Sequence, residues 1–108
     1  KDNFTIMKEE PFGPLIPILT FKTFDEVIER ANNNNLGLCS YLYTNSMEQA
    51  HIGSEKLESG TVAVNTGVVA VAEAPFGGIK QTGYGREGGS GAIKDYLNVK
   101  YTHMGLKI

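Results

Sequence analysis

Residues 38–64 read LCSYLYTNSMEQAHIGSEKLESGTVAV, and their order decides the fold class. LCSYLY is a short apolar and aromatic run, which is strand material. Ser46 then opens a capping box with Gln49 three positions on, so a helix follows almost at once. Met47, Ala50, Ser54 and Leu57 mark the expected inward stripe of that helix, and Gly60 its C-terminal glycine. TVAV at 61–64 is short and largely apolar, as buried parallel strands are. Strand, helix and strand with such short connections make a βαβ unit with a right-handed crossover.

Toward the N-terminus the pattern repeats. Thr23 and Glu26 form a second capping box, and Phe24, Val27, Ile28 and Ala31 fall at i, i+3, i+4 and i+7 on one face. Asp25, Glu26, Glu29 and Arg30 take the wet side, and the four asparagines at 32–35 with Gly37 end the helix. LIPILTF at 15–21 reads as a strand that Pro17 confines to an edge. The expected fold is therefore α/β, a parallel βαβαβ sheet. Beyond Asn65 a long glycine-rich excursion runs to Gly91, a short helix passes through Ala92, Ile93 and Tyr96, and residues 99–104 alternate as a last strand. That strand has no partner within the segment.

The bulk properties exclude several classes. A chain of 108 residues holds one core, and its composition is that of a globular protein. A net charge of −2 leaves no basic surplus for nucleic acid or an acidic membrane. No apolar run is long enough for a membrane span. The single cysteine, Cys39, forms no internal disulfide and fits a reducing compartment, so the expected location is cytoplasmic.

The glycine-rich stretch APFGGIKQTGYGREGGSG, residues 74–91, contains G-x-G-x-x-G at 83–88. A dinucleotide fingerprint must leave a strand and open the first helix of a βαβ unit. Here KQT precedes it and no second unit follows, so the glycines serve instead for sharp turns and close backbone packing. Cys39, between Leu38 and Ser40 in an apolar strand, reads as a structural thiol, and His51 and His103 are isolated, so no metal site is expected. The pair Glu9-Glu10 ahead of the rigid PFGP turn has two readings: solvated carboxylates, or acceptors for a ligand's hydroxyls.

Taken together, EEPFGP at 9–14, Ala31-Asn32, Gly37-Leu38, Tyr41 to Thr44, SGTVAVN at 59–65 and PFGGIKQTGYGRE at 75–87 resemble the C-terminal part of the aldehyde dehydrogenase superfamily, in the family's order. The subgroup most resembled, through NTG at 65–67, KQTG at 80–83, REG at 86–88 and the residues around Tyr96 and Tyr101, is succinate-semialdehyde dehydrogenase. The resemblance implies oxidation of an aldehyde to an acid with NAD or NADP: a cysteine thiolate attacks the aldehyde, hydride passes to the nicotinamide, and a glutamate-activated water hydrolyses the thioester. It implies that Glu10 accepts from the hydroxyls of the nicotinamide-side ribose and that Phe12 packs beside them. Val69, Ala70, Val71 and Phe76 stand where the family lines the aldehyde channel. Ala70 and Val71 have no donor to offer a substrate carboxylate.

Residues 1–97 correspond to the C-terminal part of the family's catalytic domain and 98–108 to its oligomerisation strand and tail, which implies a homo-oligomer. The family's nucleophilic cysteine, glutamate base and nucleotide-binding domain have no counterpart here, and Cys39 does not match the nucleophile's surroundings. The expectation is a fragment with no catalytic residue, incompetent alone. Two other readings stand beside it: a non-catalytic α/β assembly or binding module that pairs through its exposed sheet face and last strand, and an enzyme using Cys39.

Overall fold

The structure is a computed structural model that describes residues 3–107; residues 1, 2 and 108, at the outer ends of the two segments expected from the sequence, lie outside the described residues. A 3-10 turn at Thr5–Met7 and an extended arm lead to helix α1 (Phe24–Asn32). Strands β1 (Leu36–Gly37) and β2 (Cys39–Leu42), helix α2 (Met47–Lys56) and strand β3 (Thr61–Val64) follow, then β4 (Ile79–Lys80) and a 3-10 turn at Ala92–Tyr96.

Both helices start where their capping residues stand. Thr23 accepts from the Glu26 amide and Ser46 from the Gln49 amide, each bond satisfying an amide that the first helical turn leaves open. Glu26 reaches back one residue further than a capping box requires, to the Lys22 amide at 2.9 Å, and pairs with Arg30 at 3.2 Å. Arg30 also donates to the Thr20 carbonyl at 2.8 Å, tying the extended arm to α1.

The βαβ unit of residues 38–64 forms as expected. β2 and β3 are parallel, with Cys39 opposite Thr61 and Leu42 opposite Val64. The inward face of α2 differs from the expected stripe: Met47 and Ser54 are exposed, and Gly53 is the buried residue, flanked by half-buried Gln49, Ala50 and Ile52. The reason is closeness. A Cβ on Gly53 would lie 2.5 Å from a Leu42 methyl and 3.3 Å from the Phe24 ring, so the helix turns its smallest residue to the sheet.

The complete βαβαβ sheet does not form. Residues 15–21 and 99–104 are extended but join no sheet among the described residues, and the strands present make two separate pairs. A strand persists when its backbone groups find a ladder and one face is covered. Pro17 offers no amide, Thr20 gives its carbonyl to Arg30, and Ile16 and Ile18 stand bare. Val99 is fully exposed, and the only side-chain hydrogen bond of the last segment joins Tyr101 to His103 on one of its own faces. The second pair, β1 with β4, is antiparallel, so the sheet material is mixed, with Leu36 opposite Lys80 and Gly37 opposite Ile79.

The consequence is a small core and a large surface. Among the described residues only Ile28 and Ala63 are buried apolar side chains, and neither is fully enclosed. The accessible surface is 9307 Å², against about 5,900 Å² for a compact monomer of 11.7 kDa. The radius of gyration is 19.5 Å, where a compact domain of this length has about 13 Å. Phe12, Ile16, Ile18, Tyr101, Met104 and Leu106 line the exposed arms. The isolated 108-residue chain is therefore expected to bind a hydrophobic dye and to melt broadly. A sharp, dye-silent melt would show that the arms fold back on the core.

Candidate functional site

The glycine-rich stretch folds into a hairpin closed at its base by a backbone bridge between Phe76 and Glu87, with N–H to O distances of 2.7 and 2.9 Å. Arg86 stitches the two sides: its Nη1 donates to the carbonyls of Gly78 at 2.8 Å and Gly85 at 2.7 Å, while its amide donates to Asp95 Oδ2 at 3.1 Å. At the tip, the Gln81 amide donates to Asn35 O and the Gly37 amide to Thr82 Oγ1, which seats β4 on β1.

Glycine is required where backbones meet. A Cβ on Gly60 would run into the Gly77 carbonyl, and one on Gly88, whose φ is +68°, would lie 2.7 Å from the Ala74 carbonyl. The Gly89 amide donates to Ala72 O at 2.9 Å, so residues 72–76 lie alongside the returning strand of the hairpin. Between the hairpin and the 3-10 turn at Ala92–Tyr96 is an open cleft of about 360 Å³, lined in part by Leu38, Phe76, Tyr84, Arg86, Asp95 and Tyr96.

The loop carrying Val69, Ala70 and Val71 leaves the carboxyl end of β3, the end of a parallel pair outside which ligands bind in open α/β sheets. Its take-off is fixed by Asn65, which adopts a left-handed φ of 55°. Asn65 Oδ1 accepts from the Thr44 amide and its Nδ2 donates to the Thr44 carbonyl, both at 2.9 Å. One side chain thus clamps Thr44, two residues past β2, to the residue that follows β3. Val69 is half-buried, Ala70 and Val71 are exposed, and Phe76 is half-buried at the hairpin base.

Glu10 and Phe12 sit on the N-terminal arm. Two successive three-residue turns, Gly13 N–H to Pro11 O at 3.1 Å and Leu15 N–H to Gly13 O at 2.9 Å, hold the arm there, with Phe12 95% exposed. Phe76 stands at the hairpin base and Val71 on the loop that leads into it; no hydrogen bond among the described residues links that hairpin to Glu10 or Phe12.

Cys39 is half-buried, and its thiol makes a long contact of 3.9 Å with the Ser40 carbonyl. Its hydrogen bond with Tyr41, together with burial, raises the Tyr41 phenol above its ordinary value, so Tyr41 stays protonated and offers no base. His51 pairs with Glu55 at 3.7 Å and His103 with Tyr101, so neither imidazole partners Cys39.

An α/β unit with an asparagine-clamped loop at its strand ends and a stitched glycine hairpin is the class of architecture defined here. The chain belongs to the aldehyde dehydrogenase family, whose model matches residues 1–102. It is 44% identical over 104 residues, 96% of the chain, to the mitochondrial succinate-semialdehyde dehydrogenase of Arabidopsis thaliana, covering 20% of that protein. It is 45% identical to the NADP(+) succinate-semialdehyde dehydrogenase GabD of Escherichia coli (strain K12), covering 96% of the chain and 22% of that protein. The NAD+ complex of an aldehyde dehydrogenase from Bacillus cereus superposes with a TM-score of 0.89 at 47% identity, over 93% of this chain and 20% of that one. The chain spans about a fifth of the length of the curated relatives it matches.

Three residues, Asn65, Lys80 and Arg86, entered the sequence reading only within family-like motifs, and their structural roles were not read there. Asparagine at a strand end, ahead of Thr66-Gly67, is the one local signal, since asparagine tolerates the left-handed region. Replacing Asn65 by alanine removes both Thr44 bonds and strains the backbone. A loss of roughly 2 kcal/mol is expected from two hydrogen bonds of ordinary strength. Faster hydrogen exchange of the Thr44 amide is the measurement; unchanged protection would refute the clamp.

Proposed function

We propose that this chain forms part of the catalytic unit of an NAD- or NADP-dependent aldehyde dehydrogenase that oxidises a small-molecule aldehyde to a carboxylic acid. The superposition on a nicotinamide-bound relative across nearly the whole chain carries this reading. Residues 1–97 contribute to the catalytic domain and residues 98–108 supply an assembly strand through which homo-oligomers form, placed in the cytoplasm. The bare apolar arms support an assembled state, since the chain exposes roughly 3,400 Å² more than a compact monomer would. In that assembly residues 15–21 and 99–104 gain the ladders that would complete the parallel sheet and the oligomer strand.

The residues present fit the cofactor. Glu10 accepts no hydrogen bond among the described residues, and the exposed Phe12 ring lies two positions on. A free carboxylate with two acceptor oxygens suits a vicinal diol, and a flat apolar face suits the adjoining rings. The nicotinamide nucleotide supplies the two-electron acceptor. This chain's share of the work is to hold its ribose at Glu10, to pack at Phe12, and to shape the aldehyde path with Val69, Ala70, Val71 and Phe76.

Succinate semialdehyde is the candidate substrate that the relatives suggest. Recognition of its carboxylate would need a donor, and the four path side chains offer none. Lys80 and the Nη1 of Arg86 are already committed to protein oxygens. The carboxylate contact therefore falls to main-chain amides or to residues outside this set.

The test is Glu10→Gln in the full-length protein, which keeps the shape and removes the charge. Loss of one charge-assisted contact is expected to raise the KM for the nicotinamide nucleotide roughly tenfold, with the aldehyde KM unmoved. Cys39→Ser should leave turnover intact, and the 108-residue chain alone should not oxidise aldehydes. An unaltered nucleotide KM in Glu10→Gln would withdraw the cofactor role. Absence of any aldehyde oxidation by the full-length protein would favour a non-catalytic assembly module.

A further inference from the structure

Lys80 stands where three loops meet. Its backbone pairs with Leu36 in the β1–β4 ladder, and its φ of 56° lies in the left-handed region that most side chains avoid. Its ammonium donates to the Asn32 carbonyl at 2.8 Å and the Asn34 carbonyl at 3.1 Å, and pairs with the Glu58 carboxylate at 2.5 Å. An ammonium has three N–H bonds, and here three oxygens from two loops face them. The side chain is 24% exposed, less than half the exposure of its Glu58 partner.

Those oxygens are themselves held in place. Asn32 Oδ1 accepts from the Glu58 amide at 2.9 Å, and Asn32 Nδ2 donates to the Lys56 carbonyl at 2.8 Å. The ends of α1 and α2 are therefore joined by Asn32, and Lys80 seats on a prepared cage. Four residues before Lys80 is Phe76, at the base of a hairpin that Arg86 bridges between Gly78 and Gly85. A hairpin stiffened in that way and fastened at its tip carries a displacement of the tip to its base.

We infer that Lys80 is a positioning residue for the aldehyde path: its ammonium fastens the hairpin tip to the ends of α1 and α2 and so sets where Phe76 stands. The inference rests on the assignment of Phe76 to that path proposed above. Lys80 does not contact the substrate in this role, because its three donors all face protein oxygens.

The experiment uses the full-length protein with Lys80→Met, Lys80→Arg and Lys80→Gly, and Phe76→Ala as the control. Met keeps the length without the charge. Arg keeps the charge on a planar fork that does not reproduce the three directions of an ammonium. Gly removes the side chain and relieves the left-handed backbone, leaving the cage open to free ammonium ion. The aldehyde kcat/KM is expected to fall roughly tenfold or more in all three, as misplacement by a fraction of an ångström does, with the nucleotide KM unchanged. Ammonium chloride should restore part of the loss in Lys80→Gly, and tetramethylammonium chloride at equal ionic strength should not.

If the folded variants melt lower yet keep the parental aldehyde kcat/KM, Lys80 is merely structural and the inference is overturned. Should Lys80→Met fail to fold, Lys80→Gly in ammonium chloride decides between the two outcomes. Parental kinetics in Phe76→Ala would remove the path assignment, and this inference with it. Impaired kinetics in Phe76→Ala with parental kinetics in the Lys80 variants would overturn the positioning role alone.

Discussion

Two backbones touch where Gly60 faces Gly77, and a side chain at Gly60 would occupy the place of the Gly77 carbonyl. The Gly60 amide also donates to Gly37 O, and the Thr61 amide to Leu38 O, both at 3.0 Å, so the same point links the start of β3 to the segment between β1 and β2. Gly37 is equally confined: a Cβ there would lie 2.6 Å from the Glu58 carbonyl and 2.9 Å from the Ile79 side chain. Three glycines therefore let three segments, 37–38, 58–61 and 77–79, meet at close distance. With β1 held there, β4 has an edge to pair with, and the hairpin gains a fixed direction.

Cohesion built this way differs from an oil-drop core. Only Ile28 and Ala63 are buried apolar residues among those described, so burial alone does not place the loops. Directional polar contacts do: Asn65 on Thr44, Asn32 on Lys56 and Glu58, Arg86 on Gly78 and Gly85. Each such bond contributes about 1 kcal/mol net, which is modest in stability but strict in geometry. A loop held by bonds of defined length and angle presents its residues more exactingly than one held by shapeless apolar contact. That suits a path whose own residues, Val69 to Val71, have no polar atoms in their side chains with which to orient themselves.

Local signals were legible in the sequence, and non-local ones were not. Thr23 and Ser46 announced their helices because a cap acts within three residues, and TVAV announced β3 through its own composition. The stripe on α2 was misplaced because a hydrophobic pattern weights large side chains, whereas the sheet contact selected Gly53 for having none. Residues 15–21 and 99–104 have strand-like patterns, but pattern does not supply a neighbour, and pairing is decided elsewhere in space. β1 and β4, two residues each, fall below the length at which alternation is readable. The G-x-G-x-x-G at 83–88 was set aside on context, in which Lys80 was read as outside any strand, whereas Lys80 lies in β4; as a clamp Lys80 was invisible, because two of its acceptors are main-chain oxygens 46 and 48 positions away. Phe12 entered by family resemblance, and for Glu10 the local chemistry left two readings open between which only the resemblance chose.

The molecule thus divides by what sets each part's conformation. The hairpin and its cage are determined from within, by glycine contacts and hydrogen bonds that close on one another. The arms are not: Ile16, Ile18, Val99, Tyr101 and Met104 lie open, and their extended shape satisfies few of their own backbone groups. The surface in excess of a compact monomer lies in the range that permanent protein–protein interfaces bury, roughly 2,000–5,000 Å². An arm of that kind takes its order from whatever covers it, so removing the cover loosens the arms first. Glu10 and Phe12 ride on such an arm, Val69 to Val71 on the loop that leaves β3, and Phe76 on the hairpin base. The two halves of the proposed site therefore rest on different forces: an arm that only a cover would order, and a hairpin and loop that glycine contacts and hydrogen bonds hold from within.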